Sequence, residues 1–412
     1  MPNTSIHLAV ALDGAGWHPA ARREPDARPR ELFTAGYWVG LAREAEAGLV
    51  DFLTIEDSLG PRPWGGVAPW PPVAGTRAGD IPGRLDAVLL AARIAPLTRH
   101  IGLIPAVVTT HTEPFHASTA IATLDYVSEG RAGWRPRISS SRDEAAHFGR
   151  RAFPALGRSP SAGRDDEAFA AHERDLFDEA ADYVEVVRRL WDSWEDDAVI
   201  RDVPTGRFID TDKLHYIDFE GRWFSVRGPS ITPRPPQGQP VVAALAHAEV
   251  PYRFAARAAD VIFITPRDPA HAAEIISEIN AFAAERIGAP PSVYADLTVF
   301  LDDQPGAAAA RRARLDDAVG QEYRSDSAII TGTPPEIAGL LLEWRAAGLD
   351  GFRLRPGTLP HDLERITRGL VPELQRRGAF RSSYGVPGRE GETLRERLGL
   401  GPRPANRYAE VP

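Results

Sequence analysis

The sequence contains no cysteine among its 412 residues. This absence excludes disulfide bonds, thiolate metal ligands and a cysteine nucleophile. The N-terminal segment has neither a basic region nor a long apolar run, so we expect no secretory signal and a cytoplasmic location. The content of 43% hydrophobic and 25% charged residues is ordinary for a globular protein. It indicates neither disorder nor a membrane span.

An excess of basic residues is also missing, because the formal net charge is −9 at pH 7. Charges of both signs are interspersed along the chain. This distribution argues against a nucleic-acid surface, and we expect small molecules rather than nucleic acid or membrane as partners.

The stretch from Ile101 to Ser141 is the most informative part of the chain. Ile101 to Val108 is β-branched and apolar, which is typical of a strand buried on both faces. A helix can begin at Pro114 and end at Gly130. Ala132 to Ile138 is predicted to be the next strand. A βαβ unit of this kind requires a parallel sheet covered by helices.

Eight such alternations without an internal repeat predict a (β/α)₈ TIM barrel with insertions rather than an open sheet. We assign residues 1–380 to the barrel domain and 381–412 to a C-terminal tail that wraps the surface or a partner subunit. Residues 58–83 are expected to form a loop over the barrel mouth, and 142–235 an insertion with a mobile first part and β-hairpins. The predicted strands are His7–Leu12, Phe52–Ile55, Ile101–Val108, Ala132–Ile138, Val241–Ala244, Val261–Thr265, Val293–Leu301 and Gly351–Leu354.

Active sites of such barrels lie at the carboxyl ends of the strands. The polar residues predicted there are His18, Asp57, Thr109, Thr110, His111, Ser139 and His247. A structural role remains open for some of them, because Asp57 could cap the next loop and Thr109 or Ser139 could bond loop backbone. His111, Glu113 and His116 fit no recognised ligand spacing, so no metal site is predicted.

Six segments resemble one family in the same order along the chain. They are GWHPAAR (16–22), TLDYVSEGRAGW (123–134), LWDSWEDDAV (190–199), FEGRWFSVRGP (219–229), PPQGQPVV (235–242) and VPELQRRGAFR (371–381). They resemble the luciferase-like flavin monooxygenases, in the branch that includes nitrilotriacetate, dibenzothiophene sulfone and pristinamycin-type enzymes. The resemblance implies a small organic substrate, O₂, and reduced FMN from a separate flavin reductase. It also implies a homodimer, or a heterodimer with a related barrel.

The resemblance assigns roles to individual residues. It implies that His18 is catalytic, on the substrate side of the flavin. It places Asp57, Thr109, Thr110 and Ser139 in the flavin pocket. His247 follows the fifth strand, where relatives hold the cofactor phosphate.

Several positions depart from the family pattern. Arg135 replaces an asparagine that contacts the flavin ring edge in relatives. Ala246, His247 and Ala248 replace a glycine and two small residues, often serines, at the phosphate. Leu176 and Phe177 replace an arginine and a tyrosine near that group.

Strand alternation places Arg135, Arg137 and Ser139 on the face that in relatives contacts the flavin. Buried guanidinium groups require partners, so they must meet Glu56, Asp57 or an anionic ligand. Two hypotheses follow. The chain is an FMN-dependent monooxygenase, with Arg135, Arg137 and His111 near the substrate. Alternatively, it is a flavin-free partner subunit or non-redox enzyme whose arginines fill the former flavin site or bind an acidic substrate.

Overall fold

The computed structural model describes residues 5–60, 83–153, 166–284, 286, 288–385 and 391–409, and its main feature is a closed barrel of parallel strands. The described strands are β1 (His7–Leu12), β2 (Phe52–Ile55), β3 (Gly102–Val108), β4 (Gly133–Arg137), β5 (Val199–Asp202), β6 (Arg207–Ile209), β7 (Phe219–Glu220), β8 (Ser225–Val226), β9 (Val241–Ala246), β10 (Val261–Ile264), β11 (Ser292–Leu301), β12 (Ala328–Gly332) and β13 (Gly351–Pro356). The barrel order is β1, β2, β3, β4, β9, β10, β11 and β13, and β13 pairs with β1 to close it. The predicted (β/α)₈ barrel is therefore confirmed.

Helices follow the barrel strands and cover their outer faces. They are α1 (Ala35–Ala47), α2 (Ala87–Ile94), α3 (Pro114–Val127), α4 (Arg142–Phe148), α5 (Asp166–Asp192), α6 (Glu249–Ala258), α7 (Pro269–Ala283), α8 (Ala307–Val319), α9 (Pro334–Arg345), α10 (His361–Arg365), α11 (Val371–Arg376) and α12 (Leu394–Arg397). A π-helical turn, Ile366–Leu370, joins α10 to α11. Across the described ranges, no helix is both long enough and apolar enough to span a bilayer.

The βαβ unit around α3 follows directly from its sequence. Pro114 occupies the first turn of α3, where its missing N–H is no loss. The helix ends when Ser128 donates its N–H to Leu124, and Gly130 then takes a left-handed φ of +82°. The chain can thereby turn at once into β4, which pairs in parallel with β3.

The insertions agree with the sequence only in part. The predicted hairpins exist as the antiparallel pairs β5–β6 and β7–β8. Residues 142–148 form α4, although we expected this part of the chain to be mobile. The connection between β11 and β13 contains α8, β12 and α9. Residues 61–82 of the predicted mouth loop lie outside the described residues, as do residues 154–165.

The amino end of the barrel is closed by the C-terminal tail. Leu394 and Leu398 of α12 are buried in one apolar cluster with inward-facing side chains of the barrel strands. Gly102 leaves room for this contact, because a Cβ there would lie 2.6 Å from Leu394 Cδ1. Arg381 pairs with the buried carboxylate of Asp51. The expectation that the tail wraps the surface or a partner is therefore wrong for these residues, which fill the barrel floor.

We predict that Leu394→Ala lowers the free energy of unfolding by about 2–5 kcal/mol, because truncating this fully buried side chain leaves a cavity in the barrel floor. The measurement is chemical denaturation followed by tryptophan fluorescence. Leu89→Ala on α2, where the side chain is 70% exposed, is the control and should change stability by less than about 0.5 kcal/mol. An equally small effect of Leu394→Ala would contradict a floor built by the tail.

Candidate active site at the carboxyl end of the barrel

Three charged residues, on the neighbouring strands β11 and β13 and directly after β2, meet inside the barrel. Arg353 of β13 is fully buried and donates from Nη2 to Glu56 Oε1 at 2.6 Å. Its Nη1 donates to Asp296 Oδ2 of β11 at 3.0 Å. The Arg353 guanidinium also lies 4.9 Å from the centroid of the Phe263 ring, a residue of the apolar cluster below it. This arginine therefore joins the apolar floor to a polar layer above it.

The polar layer extends on both sides of Arg353. Arg135 of β4 pairs with Glu56 Oε2. Arg355 of β13 pairs with Asp296, and its Nη1 lies 2.5 Å from Asp326 Oδ1. We call this set the charge lattice, and its members are Glu56, Arg135, Asp296, Asp326, Arg353 and Arg355.

The lattice keeps two of its carboxyl groups, those of Glu56 and Asp326, ionised. Burial alone would raise the pKa of Glu56, but the guanidiniums of Arg135 and Arg353 outweigh it and bring that pKa to about 2. Burial would likewise raise the pKa of Asp326, but the Arg355 guanidinium beside it holds that pKa well below the usual range. Glu56 is therefore a fixed negative charge at neutral pH and does not exchange protons there.

The two arginines singled out from the sequence do reach the barrel interior. The expected pairing of Arg135 with Glu56 is confirmed. Arg137 is half-buried and donates to the backbone carbonyl of Asp57. Whether either arginine touches a substrate remains a prediction.

The Asp57 carboxylate holds loop and helix backbone. Its Oδ1 accepts the Ser58 N–H at 2.7 Å, and its Oδ2 accepts the Ala87 N–H of α2 at 2.9 Å. Burial raises the pKa of Asp57 despite these bonds. The structure thus shows Asp57 in the capping role that the sequence analysis left open. A contact with a cofactor would be additional to these two bonds.

Hydroxyl groups connect the ends of β3 and β4. Thr109 Oγ1 donates to the Arg137 carbonyl at 3.3 Å, and Thr110 Oγ1 accepts the Ser139 N–H at 2.9 Å. Ser139 Oγ accepts the Ser141 N–H at 3.2 Å. All three predicted pocket residues are buried and adjacent, as expected, and each bonds loop backbone.

His18 is fully buried beside a cavity of about 320 Å³. Its Nδ1 accepts the Ala20 N–H at 3.0 Å, and its Nε2 lies 3.0 Å from Asp316 Oδ1. These bonds assign the neutral tautomer with the proton on Nε2. Both ring nitrogens are occupied, so the predicted catalytic role would require exchange of one of these bonds.

The residues expected near a cofactor phosphate are separated from one another or apolar. His247 is exposed between β9 and α6. Leu176 is buried in an apolar cluster with Ala145 and Phe153. Phe177 contacts the Phe254 ring of α6 at 5.7 Å between centroids. The side chains of Leu176 and Phe177 therefore offer no hydrogen-bond donor to a phosphate.

Four buried polar atoms at the barrel mouth have no hydrogen-bond partner within the described part of the chain. They are Trp17 Nε1, Arg135 Nε, Asp296 Oδ1 and Arg355 Nε. The Arg355 guanidinium lies 4.6 Å from the centroid of the Trp17 ring, so the set is contiguous with the charge lattice. Three donors and one acceptor match the edge of a polar heteroaromatic ring, which carries both kinds of group.

Sequence reasoning identified Glu56 and Arg135 but missed the other members of this region. Arg353 and Arg355 alternate in the strand-like segment GFRLRP, and Asp296 interrupts the apolar run of β11. Charges at inward positions of barrel strands are a signal that could have located them. Within the described ranges, no cluster of three or more histidine or carboxylate side chains could hold a metal ion.

Comparison with known proteins identifies the family. Residues 14–328 match the profile of the luciferase-like monooxygenases. The chain belongs to this family.

Relatives of the luciferase-like monooxygenase family match this chain over nearly its whole length. N-acetyl-S-(2-succino)cysteine monooxygenase of Bacillus subtilis is 31% identical, with 98% of each chain covered. Nitrilotriacetate monooxygenase component A of Aminobacter aminovorans is 29% identical, with 99% of each covered. A crystal structure of riboflavin lyase with modified FMN and riboflavin has a TM-score of 0.76 at 25% identity, covering 97% of each chain.

These matches confirm the predicted enzyme class. The chain is a luciferase-like monooxygenase, an oxidoreductase family whose members act on small organic substrates with reduced flavin. The matches do not favour the flavin-free alternative. The arginines that motivated it are instead accounted for by the charge lattice and by the Asp57 carbonyl.

We predict that Glu56→Gln lowers the free energy of unfolding by about 3–5 kcal/mol, because it removes the charge that pairs with Arg135 and Arg353 in a buried layer. Adding Arg135→Met should restore part of the loss, which a double-mutant cycle by chemical denaturation measures. Strictly additive effects of the two substitutions would contradict direct coupling.

The environment of His18 predicts a pH dependence of stability. Burial lowers the pKa of His18 in the fold, and the bond to Asp316 only partly opposes this. The unfolded chain, with a histidine pKa of about 6.5, therefore binds the proton more readily, and stability falls as pH drops below that value. In thermal unfolding between pH 7 and 5, His18→Gln should lose less stability than the wild type. The exposed His116→Gln should follow the wild type, and parallel curves for all three proteins would refute the prediction.

Proposed function

We propose that this chain oxygenates a small organic substrate, using O₂ and reduced FMN delivered by a separate flavin reductase. The observation that carries the proposal is the match to monooxygenases over 98–99% of both chains. In the same reading the protein is cytoplasmic and dimeric, as predicted from its sequence.

The barrel mouth is where the flavin ring would be held. The unpaired donors of Trp17, Arg135 and Arg355 and the unpaired Oδ1 of Asp296 suit the acceptors and the N–H group on the ring edge. Arg135 thereby takes the place of the asparagine that contacts this edge in relatives. These four atoms suit the ring of the flavin, whereas the apolar side chain of Phe177 offers nothing to its phosphate.

When bound, the reduced flavin supplies the electrons that activate O₂. The chain supplies a fixed electrostatic environment. Glu56, with a pKa of about 2, keeps Arg135 and Arg353 in place across the pH range in which the protein would act. The Thr110 hydroxyl uses its oxygen to accept the Ser139 N–H, so its own hydrogen remains available for donation.

The substrate class we propose is a small carboxylate-bearing compound. The two relatives named above act on N-acetyl-S-(2-succino)cysteine and on nitrilotriacetate, and both compounds carry several carboxylates. Arg137 is half-buried next to the charge lattice, and a guanidinium suits a carboxylate. Arg137 is therefore the substrate contact that we propose.

The proposal predicts oxygen-dependent turnover. The purified protein is incubated with FMN, NADH and a flavin reductase against N-acetyl-S-(2-succino)cysteine, nitrilotriacetate, EDTA and dimethyl sulfide. Mass spectrometry should detect an oxygenated or cleaved product from a carboxylate, and ¹⁸O₂ should label the transferred oxygen. Catalase is included so that free hydrogen peroxide does not account for the product. Arg137→Met should raise KM about tenfold or more, and turnover without flavin would overturn the proposal.

A further inference from the structure

A second group of unpaired polar atoms lies around the Phe153 ring, beyond the end of β3. The His111 ring is 5.4 Å from the Phe153 centroid, and the His172 ring is 4.9 Å from it. The Arg151 guanidinium lies 5.1 Å from the same centroid. Three nitrogen-bearing side chains therefore surround one aromatic ring, with Phe148 stacked on His111 at 5.3 Å.

Each of the three side chains has a buried nitrogen that meets no partner among the described residues, which exclude 154–165. These atoms are His111 Nε2, Arg151 Nε and His172 Nε2. His111 is only 6% exposed, so solvent does not readily satisfy its ring. An unpaired buried polar atom costs free energy, and three of them in one place indicate a site built for a ligand.

The group offers one cation and two imidazoles to an oxyanion, beside the carboxylates of Glu179 and Glu144. Among the described residues, Arg151 pairs with Glu179 at 2.5 Å and with the Thr110 carbonyl at 3.4 Å, both through Nη2. Its Nε and Nη1 can each donate one separate N–H to a second anion. His111 and His172 can each add a neutral N–H donor from Nε2.

The group also borders the predicted flavin pocket. Arg151 touches the carbonyl of Thr110, whose hydroxyl bonds Ser139 at the end of β4. His111 directly follows Thr110 in the chain. An elongated ligand whose ring lies over the charge lattice could therefore place its other end here.

The alternative place for a phosphate, the N-terminus of α6, is poorly equipped. Its first turn contains Pro251, which has no N–H, and Glu249, whose carboxylate repels an anion. Ala248 at the cap contributes no side-chain donor. Phe177 packs against Phe254 of this helix as an apolar side chain, so it gives a phosphate nothing to bind.

We propose that Arg151, His111 and His172 form an oxyanion subsite that binds the phosphate of the flavin. The subsite rests on the proposed function, since it assigns the charged end of the same cofactor. It replaces the arginine, tyrosine and small residues that hold this group in relatives.

The test compares FMN with riboflavin, which lacks the phosphate but is otherwise identical. Binding of each flavin to the full-length protein is measured by fluorescence titration. The wild type should bind FMN at least tenfold more tightly than riboflavin, a difference of about 1.4 kcal/mol. Arg151→Met with Glu179→Gln removes the cation without stranding a buried carboxylate. It should lower FMN affinity at least tenfold and leave riboflavin affinity within about twofold.

Two further variants separate the subsite from general damage. His111→Phe keeps the stacking on Phe148 and removes Nε2, so it should weaken FMN binding but not riboflavin binding. Arg150→Met removes the neighbouring exposed cation, which pairs with Glu113, and should change neither affinity. Equal wild-type affinity for the two flavins, or an equal loss of both in the Arg151 variant, would overturn the subsite alone. Failure of the wild type to bind either flavin would overturn the proposed function and the subsite with it.

Discussion

The pairing of buried charges across the barrel is the constraint on which the rest of the site depends. Arg353 is fully buried and sits between Glu56 and Asp296, and Arg135 and Arg355 extend the same set of pairs. Removing water from a guanidinium or a carboxylate is costly, so each charge fixes the position of its partner. Four barrel strands are thereby held in register by side chains as well as by their backbone ladders.

This constraint shapes what the mouth of the barrel can bind. The lattice gives the mouth a rigid polar base whose unpaired atoms, on Trp17, Arg135, Asp296 and Arg355, are held in place by packing and ion pairs. Hydroxyls of Thr109 and Thr110 tie the β3 and β4 loops together beside it. Glu56 neutralises the cation of Arg135, so this side chain does not leave an uncompensated charge in the base of the mouth.

Local sequence patterns predicted the barrel and part of its site. The order of strands and helices can be predicted from local patterns. The alternation of inward and outward side chains along β4 is also local, and it placed Arg135 inside the barrel near Glu56. The pairing of Arg353 and Arg355 with Asp296 joins residues 57 and 59 positions apart in the chain, and no local pattern reports it. The insertion of Leu394 into the barrel floor depends on tertiary packing in the same way. Asp57 and Thr110 bond to backbone N–H groups of other segments. These bonds could not be predicted, because the sequence does not show where those backbone groups lie.

The most direct measurement is a crystal structure of the protein grown with FMN. Our account predicts the ring at the carboxyl ends of the strands, in contact with Arg135, while Arg135 still pairs with Glu56 and Arg353 still bridges Glu56 and Asp296. An empty mouth at saturating FMN would contradict the account. So would a flavin that binds only after the Arg135–Glu56 pair has broken, because the lattice could not then be the base of the site.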